Sequence, residues 1–97
     1  MTNARLIAQI VQALTRYERG ELAASEVERA VSLHFPALER VGTRERNEAG
    51  HLAARLIDAD LSDPTVEVNG QLLTFEGEEL VADVLRDFRV FLAQLPS

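Results

Sequence analysis

Two short spacings in the chain bring together side chains of the kind that hold metals. Glu48-x-x-His51 sets a carboxylate and an imidazole three residues apart, neighbouring positions on a helix and the pairing that carboxylate-bridged di-metal bundles use. Such a bundle needs a second pair and two further glutamates, and the other histidine, His34, has Val31 at the matching position. Glu48 and His51 therefore read as exposed ion-pairing or hydrogen-bonding residues. Asp58-x-Asp60-x-Ser62 opens like a calcium loop, with oxygen ligands at alternating positions. Asp63 then stands where that loop requires glycine, and Asn69 where a bidentate glutamate would close it. What is left is the solvated end of a helix.

Nucleophilic chemistry finds no better support. Ser25, Ser32, Ser62 and Ser97 lack the strand–elbow–helix setting that activates a serine, and Ser25 has the form of a helix cap. The chain has no cysteine, so it has no thiol nucleophile, thiolate metal site or disulfide. All ten basic residues are arginine, which excludes a Schiff-base lysine and a lysine-bearing phosphate loop. Carboxylates are plentiful, but nothing beside them separates an acid from a base. The expectation is a protein that is not an enzyme and carries no cofactor and no metal.

The acidic residues are unevenly placed. Asp58, Asp60, Asp63, Glu67, Glu76, Glu78, Glu79, Asp83 and Asp87 all fall between positions 57 and 87, opposed there only by Arg86, in a chain of net charge −6. A field of this sign repels nucleic acid and favours cationic partner surfaces. Glu78 and Glu79 are accounted for if a helix begins beside them, since its N-terminus favours negative charge. Asp58 and Asp60 sit at the wrong end of the preceding helix, where the macrodipole disfavours each by about 0.3 to 1 kcal/mol.

The elements that position these residues follow from periodicity. Leu6, Ile7, Ile10, Val11, Leu14 and Tyr17 form one helical stripe over about 3–19, with Thr2 or Asn3 as cap and Gly20 as stop. Ser25 with Glu28 suggests a capping box for a second helix to about Leu33, carrying Val27, Ala30 and Val31. The run 37–41 allows a further helical turn. Thr43 is expected to cap a third helix, whose inner face is Ala49, Leu52, Ala53, Leu56 and Ile57. Val66-Glu67-Val68, Asn69-Gly70 and Gln71 to Phe75 have the form of a β-hairpin around a type I′ turn, with Val66, Val68, Leu73 and Phe75 on one face. A last helix, about 77–95, presents Leu80, Val81, Val84, Leu85, Phe88, Phe91, Leu92 and Leu95.

Because a lone hairpin is at best marginally stable, its apolar face is expected to lie on the helices. The fold expected is thus a helix-dominated α+β domain, α1-α2-α3-β-hairpin-α4, spanning 1–97 as one unit. With 46% hydrophobic and 27% charged residues, neither a signal segment nor a membrane span is evident, and a cytoplasmic location is expected.

Arg16-Tyr17-Glu18-Arg19-Gly20-Glu21-Leu22, followed by Val27, His34 and Ala37-Leu38-Glu39, resembles small acidic helical bacterial immunity and antitoxin-type proteins over the first half of the chain. The hairpin and long last helix depart from an all-helical immunity bundle. The resemblance implies a binding module that occludes a cationic surface on a protein partner. The residues expected to face that partner are Asp58, Asp60, Asp63, Glu67, Glu76 and Glu79.

Two other readings compete. The order of three helices, hairpin and helix also fits a winged-helix regulator, with Arg44, Arg46 and Arg55 reaching DNA, but an acidic wing beside phosphate argues against it. The stripes of the first and last helices also suit a homodimeric adaptor.

Overall fold

The computed structural model describes residues 2–61, 65–68, 71–74 and 80–96, the two strand segments as backbone. Its elements are α1 (Asn3–Glu18), α2 (Ala24–His34), a 3₁₀ turn (Phe35–Ala37), α3 (Thr43–Leu61), β1 (Thr65–Val68), β2 (Gln71–Thr74) and α4 (Val81–Ala93).

The helix boundaries follow from how the end groups are satisfied. Thr2 Oγ1 accepts the Arg5 N–H at 3.3 Å and starts α1. The helix ends in a Schellman turn: Gly20 takes φ 77°, its N–H donates to the Tyr17 carbonyl at 3.0 Å, and the Glu21 N–H donates to the Arg16 carbonyl at 2.9 Å. The capping box expected at Ser25 and Glu28 lies two residues earlier, where Glu26 accepts the Ala23 N–H at 3.2 Å. Glu45 likewise accepts the Gly42 N–H at 3.1 Å, so Gly42 takes the place expected of Thr43. Both helices use the glutamate half of the capping box, in which the third helical residue reaches back to the cap.

The helical turn expected over 37–41 is not formed, since the 3₁₀ turn ends at Ala37. Leu38 is extended at φ −69°, ψ 138°, and Arg40 takes φ 62°. This course drops Leu38 and Val41 into the core.

The core is built from helix faces. Leu6, Ile10 and Leu14 of α1 meet Val27 and Val31 of α2, Ala49, Leu52, Ala53 and Leu56 of α3, and Val84, Leu85, Phe88 and Leu92 of α4. Phe35 joins them and stacks on Phe91, with ring centroids 6.1 Å apart and planes 17° from parallel. Each helix packs on the next in sequence, and α4 also returns to α1.

This arrangement overturns the α+β class. The folded unit is a four-helix, all-helical globule, and the hairpin expected to pack on it is not a layer of the fold. The backbones of β1 and β2 pair antiparallel, with Thr65 opposite Thr74 and Val68 opposite Gln71. Among the described residues, however, the backbones of the two segments come close only to each other. The core is formed by the four helices packing on one another, with residues of the 3₁₀ turn and the connections between helices. The Asn69-Gly70 turn and Phe75 lie outside the described residues. The last helix starts at Val81 rather than Gly77, with Leu80 as its cap, and Glu78 and Glu79 also fall outside the described residues.

Asn3 ties three distant parts of the chain together. Its Nδ2 donates to the carbonyls of Glu39 at 2.7 Å and Pro96 at 2.9 Å, and its Oδ1 accepts the Glu39 N–H at 2.8 Å. At about 0.5 to 1.5 kcal/mol net per hydrogen bond, and with all three partly open to water, Asn3→Ala is expected to cost about 1 to 3 kcal/mol in chemical denaturation. A loss below about 0.5 kcal/mol would show that the tie does not hold in solution.

Candidate functional site

Of the six acidic residues expected to face a partner, two have described side chains. Asp58 and Asp60 are both exposed on the last turns of α3. Two residues apart, they stand about 200° apart around the helix, so they do not share a surface. Asp58 makes no hydrogen bond or ion pair to another described residue. Glu67 lies on β1 opposite Leu72, and Asp63, Glu76 and Glu79 lie outside the described residues.

Asp60 occupies the rim of a cleft where four segments converge. The end of α1 supplies Tyr17 and Glu18, the turn after it supplies Gly20, Leu22 and Ala23, and the start of α4 supplies Val81, Ala82 and Leu85. The space is about 480 Å³ and open to solvent. The Schellman turn places Leu22 and Ala23 there, because the left-handed Gly20 reverses the chain immediately after α1.

Two polar contacts organise the rim. The Tyr17 hydroxyl donates to Asp60 Oδ1 at 2.5 Å, joining α1 to α3. This bond offsets the placement of an aspartate at a helix C-terminus, since the hydroxyl supplies a donor where the macrodipole is unfavourable. Burial pushes the Tyr17 hydroxyl pKa well above its ordinary value of 10.0, and the hydrogen bond to Asp60 and the charge of Asp60 push it further. Nearby, Arg89 Nη2 donates to Glu18 Oε1 and, at 3.4 Å, to Thr15 Oγ1, fastening α4 to α1. The hydrogen bond from Arg89 holds the Glu18 carboxyl below its ordinary value of 4.5, against a smaller opposing effect of burial.

Other acidic residues of the run are engaged within the helices. Asp87 accepts from Arg55 at 3.1 Å and lies 3.5 Å from Arg86, and its carboxyl is held below the ordinary 3.8, chiefly by the Arg55 hydrogen bond. Asp83 lies 3.5 Å from the same Arg86. Arg55 thus joins α3 to α4 through Asp87. Arg44, Arg55, Glu45, Glu48 and Asp87 edge a second groove of about 530 Å³ between α3 and α4, floored by Leu52 and Phe91 and flanked by Val90, which is 51% exposed. Glu48 faces that groove and His51 is exposed, and among the described residues no group of three histidine, cysteine or acidic side chains is placed to hold a metal ion.

Sequence reasoning assigns Tyr17 to the core and misses the roles of Glu18, Leu22 and Ala23. One signal points toward the contact that Tyr17 makes. An aspartate at a helix C-terminus calls for a compensating donor, although its identity, 43 residues away, is not readable from spacing. At the same end of the molecule Leu61 is 79% exposed and Leu80 41% exposed.

A scan against protein-family models, a search of curated proteins and a search of solved structures each find no match. Among the described residues, no helix is long and apolar enough to cross a membrane.

Proposed function

We propose that the chain is a small acidic protein-binding module that occludes a cationic surface of a partner, in the manner of an inhibitor or immunity-type protein. The observation that carries this reading is Asp60, held by Tyr17 at the rim of an apolar-walled cleft. Protein interfaces combine desolvated apolar anchors with a polar rim. The walls of Leu22, Val81 and Leu85 supply the former and Asp60 the latter. The net charge of −6 adds long-range attraction, which raises the rate of encounter with a basic surface.

The test compares the native chain with a variant carrying D58N, D60N, D63N, E67Q, E76Q and E79Q, each used to capture partners from the source cell. Recovery of the partner by the native chain is expected to fall as salt is raised. The variant is expected to recover roughly tenfold less at low salt. Equal recovery of the same partner by both proteins would overturn the proposal.

A further inference from the structure

The composition of the cleft narrows the chemistry of what enters it. Its walls are the aliphatic residues Leu22, Ala23, Val81, Ala82 and Leu85, and its polar residues are Tyr17, Asp60 and Glu18, of which Glu18 is already paired with Arg89, so the charge left to the rim is that of Asp60. An anion is repelled by such a rim. A purely apolar side chain would desolvate the Asp60 carboxylate while leaving its charge balanced only by the neutral Tyr17 hydroxyl. A group with a long aliphatic stem and a cationic, multiply donating head satisfies both halves.

From this we infer, resting on the proposed binding role, that the cleft takes an arginine side chain of the partner, with its guanidinium on Asp60 and its stem along Leu22 and Val81. The Tyr17 hydroxyl occupies Oδ1 of Asp60, so the carboxylate is oriented in advance while Oδ2 retains its capacity to accept. Orientation before binding removes part of the ordering cost of association. A planar guanidinium presents several donors in a fixed fork and is less strongly hydrated than an ammonium, which favours arginine over lysine in a half-apolar setting. The protein shows this pairing within itself at the same end of α1, where Arg89 divides its donors between Glu18 and Thr15.

The experiment titrates the full chain with N-acetyl-arginine methylamide at constant ionic strength, read by amide chemical shifts. The probes for comparison are the citrulline analogue, which is neutral with nearly the same shape, and the lysine analogue. The arginine probe is expected to move the resonances of Gly20, Leu22, Ala23, Asp60 and Val81, and to bind about tenfold more tightly than the citrulline probe. Asp60→Asn keeps an oxygen for the Tyr17 hydroxyl while removing the charge, and is expected to abolish that preference. Tyr17→Phe frees the carboxylate and is expected to weaken arginine binding about fivefold.

Equal response to arginine and citrulline, shifts confined to other surfaces, or unchanged binding by Asp60→Asn would overturn the inference. A lysine probe binding as tightly as arginine would overturn the choice of arginine. If the cleft ignores the arginine probe while the six-position variant still loses its partner, the cleft assignment falls and the binding role stands. Unchanged partner recovery by that variant overturns the binding role whatever the probe does.

Discussion

Phe88→Ala is expected to destabilise the chain by about 3 to 5 kcal/mol, the usual range for truncating a buried aromatic side chain. Phe88 has no exposed surface and belongs to the cluster in which α4 meets the other helices. Its removal opens a cavity on a helix that contacts both α1 and α3. Domains of this size have total stabilities of about 5 to 15 kcal/mol, so the variant retains only a fraction of the native margin. With a urea dependence of about 1 to 3 kcal/mol per molar, the unfolding midpoint should fall by about 2 M. Val90, two residues further along α4 and 51% exposed, provides the internal control. Val90→Ala is expected to change stability by less than about 0.5 kcal/mol. Similar losses at both positions would contradict the face that α4 turns inward.

That face is legible in the order of residues alone, because a stripe of apolar residues at helical spacing has few ways to be buried. Leu6, Ile10 and Leu14, then Leu52 and Leu56, then Val84, Phe88 and Leu92 are all buried where periodicity puts them. The caps are less legible for a chemical reason. Ser25 and Thr43 have side chains that can cap, but α2 and α3 instead draw on Glu26 and Glu45, which reach back to the backbone of Ala23 and Gly42. A cap residue without a polar side chain leaves its signature three positions downstream.

The α+β expectation fails at a different level. The sequence around Asn69-Gly70 carries local hairpin chemistry, and local chemistry says nothing about whether a sheet has anything to pack on. That depends on how completely the helices cover one another, which is a property of the assembled stripes. The acidic run fails in a similar way as a single surface. Asp87 and Asp83 turn to arginines of α3 and α4, and Asp60 turns to Tyr17, so neighbours in sequence serve different contacts. Asp60 is readable as an anomaly of helix electrostatics, whereas the cleft around it exists only because the turn after α1 lies beside the start of α4.

The Tyr17 contact has a spectroscopic consequence. The chain contains one tyrosine, no tryptophan, no cysteine and no lysine, so Tyr17 is the one side chain that titrates between about pH 9 and pH 12. A tyrosine with an ordinary value is about nine-tenths ionised at pH 11. The folded chain is expected to show a small part of that tyrosinate absorbance, because burial and Asp60 both oppose the anion. Asp60→Asn should bring the absorbance in at lower pH, though only part of the way, since burial is the larger cause. The same shift fixes the direction of the stability profile. The unfolded chain releases the phenolic proton near pH 10 and the folded chain holds it to higher pH. The contribution of the contact is therefore complete below pH 10 and is lost as pH rises from there through the raised folded value. The urea midpoint of the native chain should fall between about pH 10 and pH 12, while that of Tyr17→Phe, which has no proton to release, stays nearly level. A tyrosinate midpoint near 10 with the protein still folded would show that Tyr17 and Asp60 do not meet, and would remove the anchor on which the cleft depends.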